Sequence, residues 1–444
     1  MFLSALLFSF SPSFAALPAP SQLRQRMRER AEIIRSAGMR RKSANDTGTA
    51  AYFLGIPTAS LPTDIRVADQ FRQARISYEL WSGYFWPNFR GGLGYRHTDP
   101  SFPRDNWAAA RDYVTRRPST QAGVFYLSPS EKYDTIMGVS PEENGSLTRH
   151  QWRMGEAEHR STGTVATWQG ICNGWAAAAV NFPNPVRSIT FPTRQGPITL
   201  TPDDVRALGS LLYFNGKFES VYAGFRCNTN EPDTDRLGRV LTPECFDVNP
   251  ADWHLIATQH LGQLRQPFIM DAMNSSQVWN KPVVGYSFNY FDIGNNNTSQ
   301  DFRQVLRPIS EAARYRRGPH RGPRTAWVVG VSMDVTHMDG TGPGESSAQT
   351  KVVRYIYDLE LDAQYRIIGG EWISEAHPDF LWRPKYTTRL PETDGDSLTA
   401  TLNPWEAASS TAWRGPALRA NGHGAPLTKF IKYIFDYTSY SGAF

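Results

Sequence analysis

Covalent chemistry at a cysteine needs three kinds of side chain. These are a reachable thiol, an imidazole to carry its proton, and a carboxylate or amide to orient that imidazole. The thiol candidate is Cys172, within the stretch Trp168 to Val180 that reads WQGICNGWAAAAV. An alanine run without Gly or Pro follows it, and Asn173 and Gly174 suit the turn or cap that opens a helix. The spacing predicts a loop that delivers Cys172 to the amino end of a buried helix. Unpaired N–H groups and the positive end of the helix dipole favour a thiolate at such a place. Gln169 and the indole N–H of Trp168 are donors that can face a developing oxyanion. A lone cysteine is as often an inert core residue, so the rest of the chain has to decide.

The chain has nine histidines. His97, His150, His159, His320 and His423 stand in polar, loop-like contexts and read as solvated. His254 follows the helix opening Asn249-Pro250-Ala251-Asp252 and precedes the strand that carries Asp271. His377 follows Gly370-Glu371-Trp372 in a turn beside Asp379. These two, and after them His337, are the candidate bases. A histidine on the inner face of a helix is also commonly a satisfied core residue. Asp271 interrupts the apolar run Phe268-Ile269-Met270, where a carboxylate is costly unless paired, and this favours an orienting role. Asn280 is a second candidate orienter. Trp175 and Trp279 can line the apolar channel that would keep water from a thioester.

The other two cysteines, Cys227 and Cys245, flank a polar loop and can close a disulfide in an oxidising compartment. That pairing leaves Cys172 as the odd thiol. A reducing cytosol with three free thiols is the alternative. Residues 1–16, MFLSALLFSFSPSFAA, form an apolar run ending in small residues, as an export signal does, although no Lys or Arg stands near its start. The run is too short and interrupted to span a bilayer. A secreted or periplasmic protein is expected.

The formal net charge of +5 sits almost wholly in one segment. Between Leu23 and Lys42 there are eight basic and two acidic residues. Without them the chain is near neutral, so nothing in its body points to nucleic acid. At 444 residues and 40% apolar, the chain can bury a large core.

Ser21 to Gly38 reads as an exposed basic helix and Ser43 to Thr63 as a linker. Residues 17–70 are therefore expected to form an arm or pro-segment ahead of a catalytic domain at 71–444. Helices are expected over Asp69–Trp81, Asn106–Thr115, Ser128–Met137, Thr201–Phe214 and from Asn249 to about Leu264. From Pro267 the period changes from about 3.6 to about 2. Strands are predicted over Pro267–Ala272, Val283–Phe291, Ala326–Val335, Val352–Leu361 and Tyr365–Ile373. A helical part to about residue 265, a sheet part to about 390 and an extension over 391–444 ending in an aromatic helix make an α+β protein with an antiparallel sheet.

Several stretches in order resemble the transglutaminase elicitor family, secreted enzymes of oomycetes with bacterial relatives. Trp168 to Ala178 is similar to its WxGxCNGWAxAA segment. Gln277 to Tyr286, QVWNKPVVGY, is similar to its VWNQPVxG element, with Lys281 where the family has Gln. Leu359 to Asp362, Ile367 to Trp372, His377 to Trp382 and Asn249 to His254 also fit. The resemblance implies a papain-like catalytic arrangement, with the nucleophile helix of a helical lobe packed on the sheet. It implies a protein-glutamine γ-glutamyltransferase, which joins a glutamine carboxamide to a lysine amine through a cysteine thioester. Its partners would be proteins that carry Gln and Lys, and the chain is expected to be monomeric. A cysteine protease or glutamine deamidase in the same architecture, and a non-catalytic secreted recognition protein, are the competing readings. No cofactor is required by this chemistry. The oxygen-rich loop Asn228 to Asp235 could hold calcium, but it lacks the Gly and terminal Glu of an EF-hand.

Overall fold

The computed structural model describes residues 48–224, 247–273, 277–311, 323–345, 348–374, 376–385 and 390–439. The export signal, the basic helix, Cys227, Cys245 and the loop Asn228 to Asp235 lie outside the described residues.

The period-2 region forms one large antiparallel sheet, and the fold is α+β as the sequence pattern predicts. The sheet contains the long strands β6 Asn280–Phe291, β9 Trp327–Met338 and β10 Thr350–Leu361, with the shorter β5 Phe268–Asp271 beside β6 and β11 Ile367–Trp372 at one edge. Two further strands, β12 Phe380–Pro384 and β4 Ser220–Gly224, extend it past β5, giving the order β11-β10-β9-β6-β5-β12-β4. One edge of β6 is covered in turn by β5, by β1 Gln73–Arg75 and by β7 Thr298–Ser299, while β8 Arg307–Pro308 pairs with β9. A separate hairpin joins β2 Ile189–Thr193 to β3 Gly196–Leu200.

The helix expected over Asp69–Trp81 is not formed. A single 3-10 turn at Asp69–Phe71 gives way to β1, whose Ala74 stands opposite Tyr286. Past β5 the edge of β6 has unpaired backbone groups, and pairing them outweighs local helix preference. The helix at Pro250–Ile256, opened by the Asn249 side chain on the Ala251 N–H, runs on as a π-helix over Ala257–Gln263.

The helical lobe holds its elements with capping boxes and buried charge pairs. Ser128 and Glu131 cap Pro129–Ile136, and Thr201 and Asp204 cap Pro202–Asn215. The same two acids pair with buried cations: Arg96 reaches Glu131 at 2.6 Å and Lys132 reaches Asp204 at 2.7 Å. Helix Leu147–Thr162, not foreseen from the sequence, starts on Asp134, which accepts the N–H groups of Leu147 and Thr148.

Residues 48–70, expected as part of an arm or pro-segment, pack on the body. Helix Gly48–Leu54 buries Ala50, Ala51 and Phe53, and the Ala50 N–H donates to Asp252 at 2.9 Å. From residue 48 onward the chain belongs to the body.

Candidate active site

Cys172 is the first residue of helix Cys172–Asn181, as the spacing predicts. The loop before it is laced to the aromatic turn at Phe85–Asn88. Ile171 N–H donates to the Phe85 carbonyl at 2.7 Å, and Asn88 N–H donates to the Gln169 carbonyl at 2.9 Å. Both glycines of the stretch have steric reasons. A Cβ on Gly170 would lie 2.3 Å from the Phe85 carbonyl oxygen, and one on Gly174 would lie 2.2 Å from that of Ser210. Gly174 and the buried Ala176–Ala179 thus let this helix lie backbone to backbone on Pro202–Asn215. No side chain caps the helix start, so its first N–H groups are directed at the space beside the sulfur.

The thiol of half-buried Cys172 faces β6 and the loop that leads into it. Asn280 Nδ2 donates to Cys172 Sγ at 3.5 Å, and the thiol donates to the Val278 carbonyl at 3.6 Å. Asn280 Oδ1 accepts the indole N–H of Trp382 at 2.7 Å. Asp271 stands directly across from Asn280 and accepts the Trp279 N–H at 2.8 Å, which fixes the turn that presents Val278 and Trp279. Trp279 is half-buried, with its ring edge-on to Phe85 at 5.7 Å. Trp168 and Gln169 are half-buried beside Cys172 in the sequence.

Electrostatics at the sulfur oppose one another. Burial pushes the Cys172 thiol above its ordinary value, the Asn280 donors pull it down, the Asp271 carboxylate raises it and the Lys281 ammonium lowers it. Lys281 is held by Asp339 at 2.5 Å and lies over the Trp175 ring at 5.7 Å. Burial works to raise Asp339, but Lys281 and Lys351 win and hold it down to about 2.

Several site expectations are corrected. His254 is fully buried, with Nδ1 2.7 Å from the Tyr357 hydroxyl and its ring edge-on to Phe288 at 4.9 Å; burial lowers it to about 3. Strand alternation separates it from the thiol. Asp271 and Asn280 share one face, while Phe268 and Met270 point to the other, where Trp253, His260 and Tyr355 pack. His377 keeps the features expected of a base: its Nε2 is bonded to the Asp247 carboxylate at 2.6 Å and its ring stacks on Trp372 at 5.1 Å. Trp175 is no channel wall: it is buried, and its N–H donates to the Trp81 carbonyl at 3.4 Å. His97, expected to be solvated, packs edge-on to Trp86 at 5.6 Å, and burial lowers its pKa.

His337, on β9, stands opposite Val283 of β6 and Lys351 of β10. Burial lowers it, and the Lys281 ammonium that acts on Cys172 also acts on it. Its Nδ1 lies 2.9 Å from the Met338 carbonyl, so Nδ1 carries the proton and Nε2 keeps its lone pair. The residue sequence reasoning missed is Trp382. A tryptophan after His377-Pro378-Asp379 carried no signal of its contact with Asn280.

The sequence pattern of the transglutaminase elicitor family matches residues 57–394. The chain belongs to the transglutaminase elicitor family. The fold is similar to the crystal structure of the GP42 transglutaminase from Phytophthora sojae, at 17% identity and a TM-score of 0.55, over 90% of this chain and 99% of that one. No curated protein matches the sequence. This family member is thus a transglutaminase-like protein. Among the described residues no helix is long and apolar enough to cross a membrane, and no cluster of His, Cys, Asp and Glu could hold a metal ion.

Proposed function

We propose that this chain is an exported protein-glutamine γ-glutamyltransferase with Cys172 as nucleophile. The observation that carries the proposal is the placement of Cys172 at an uncapped helix start, with its sulfur 3.5 Å from an amide donor. The thiolate attacks the side-chain carbonyl carbon of a substrate glutamine, the C–N bond breaks and ammonia leaves with the proton from the thiol. A lysine amine then attacks the thioester, the C–S bond breaks, the base takes the amine proton and returns it to the Cys172 sulfur, and an isopeptide forms. The helix-start N–H groups and Asn280 Nδ2 are the donors for the oxyanion. Gln169 and Trp168, on the loop before Cys172, are further candidates.

Because burial raises the thiol, the resting site holds it protonated, and a base must act as substrate arrives. The candidate bases are His377, whose Nε2 is paired with the Asp247 carboxylate at 2.6 Å, and His337, whose Nδ1 lies 2.9 Å from the Met338 carbonyl so that Nε2 keeps its lone pair. Phe85 and Trp279 form the apolar rim that limits water at the thioester. Calcium has no step in this scheme.

The test is incorporation of a biotinylated amine into casein. Cys172→Ala is expected to abolish it, and whichever of His377→Gln and His337→Gln removes the base to lower it by roughly 100- to 10,000-fold, with His254→Gln far milder in folded protein. Ammonia or peptide release without incorporation would instead make water the acceptor, as in a deamidase or protease. Wild-type protein with no thiol-dependent turnover, and no alkylation of Cys172, would leave only a recognition role.

A further inference from the structure

The indole of Trp382 sits one residue away from the thiol in a hydrogen-bonded chain. On β12, Trp382 stands opposite Ile269 of β5, two residues before Asp271 and hence on the face that Asp271 and Asn280 share. From there its N–H reaches Asn280 Oδ1 at 2.7 Å, and the other end of the same amide donates to Cys172 Sγ at 3.5 Å. Trp382 is buried, and its ring is stacked under Tyr222 of β4 at 6.0 Å and 16°, with Tyr222 half exposed.

The chemistry of the two partners decides how the amide lies. An amide can present either its oxygen or its NH2 to the sulfur, whereas an indole N–H can only donate. With the indole bonded to Oδ1, the NH2 is turned to the sulfur. The reverse orientation would set two donors against each other and turn Oδ1 toward the sulfur, where it repels a thiolate. We infer that Trp382 is a positioning residue: its N–H locks the amide of Asn280 so that Nδ2 faces the Cys172 sulfur and stabilises the thiolate and the oxyanion formed from it. The effect on turnover rests on the transferase reading above, whereas the effect on the thiol does not.

The experiment measures the rate of Cys172 alkylation by iodoacetamide against pH in the full chain. Trp382→Phe keeps a ring under Tyr222 and removes only the donor. Its alkylation midpoint is expected to rise by about one pH unit, roughly the worth of a hydrogen bond to a charged group. The kcat for amine incorporation should fall while KM stays near wild type. Trp382→His, which retains a ring N–H, should bring the midpoint back toward the wild-type value. Asn280→Asp, which leaves Trp382 in place and exchanges the Nδ2 donor for an acceptor, should raise the midpoint at least as far as Trp382→Phe. In an Asn280→Ala background, Trp382→Phe should shift nothing further. A folded Trp382→Phe protein with an unmoved midpoint overturns the inference, as does an equal shift in the Asn280→Ala background. If the profiles behave as expected but no variant, wild type included, incorporates amine, the transferase reading fails and the role of Trp382 stands.

Discussion

At the scale of single residues, burial decides which ionisable groups are free to act. Burial raises the Cys172 thiol, and Asn280 and Lys281 oppose it. Burial lowers His254 and His260 each to about 3. Both are therefore neutral in the folded protein wherever the ordinary imidazole begins to charge. Their folded pKa lies below the unfolded value of about 6.5, so stability is fully present above that pH and is lost as pH falls toward 3. At pH 4.5 the two rings together cost about 5 kcal/mol relative to neutral pH, at about 1.4 kcal/mol per unit and per ring. Urea unfolding at pH 7.5 and 4.5 measures this. His254→Phe should lose about 3 kcal/mol less than wild type between the two. An equal loss in both proteins would show that His254 titrates normally. From sequence, His254 and a catalytic base look alike, since a helix and a nearby acid were all that could be read. The Tyr357 hydroxyl that takes His254 comes from a strand 103 residues away.

At the scale of elements, the site depends on how closely two helices approach. Gly174 is the contact point, where a Cβ would lie 2.2 Å from the Ser210 carbonyl and 2.8 Å from the Phe214 Cβ. Gly174→Ala must push the nucleophile helix off Pro202–Asn215, at a cost of about 1–3 kcal/mol. It should also lower amine incorporation by displacing Cys172. Gly415, in helix Arg414–Asn421, has nothing within 4 Å of its Cβ position. Gly415→Ala should therefore stabilise by about 0.4–1 kcal/mol and leave activity alone. Thermal unfolding of the two variants checks both signs, and two variants with the same sign would refute the steric reading. Most elements were legible because their signals are local. Ser128 with Glu131 and Thr201 with Asp204 announce helix starts. Alternation in Trp327–Met338 and Thr350–Leu361 announces strands. β1 was not legible, since it is a strand only because β6 offers it an open edge.

At the scale of the whole molecule, both flanks of the family-matched region are structural parts of the body. Phe435 of the C-terminal helix Thr428–Ser439 stacks on Phe182 at 4.1 Å, and the Leu427 N–H donates to the buried Tyr133 hydroxyl at 3.0 Å. Asn421 Nδ2 reaches Asp134 at 3.2 Å, where burial raises that carboxyl to about 7 against the donors around it. The extension thus braces the lobe that carries Cys172. Phe435→Ala should cost about 3–5 kcal/mol, and a chain ending before Arg414 should lose its cooperative unfolding transition. At the other flank, Phe53 is buried against His260 and Phe268 and supports Arg383 through its carbonyl at 2.7 Å. A processed form that keeps full activity is therefore expected to begin no later than Gly48. N-terminal sequencing of active material after limited proteolysis checks this.

The sequence by itself determined the α+β pattern, the start of the nucleophile helix and the family, because periodicity, capping and short motifs are properties of neighbouring residues. Only the tertiary structure decided which side chains share the sulfur. That assembly brings Asn280 and Trp382, 108 and 210 residues away in the chain, to Cys172 and turns His254 to the far face of the sheet. Strand register sets those distances, and register is fixed by the pairing of whole strands, to which no single residue type gives a clue.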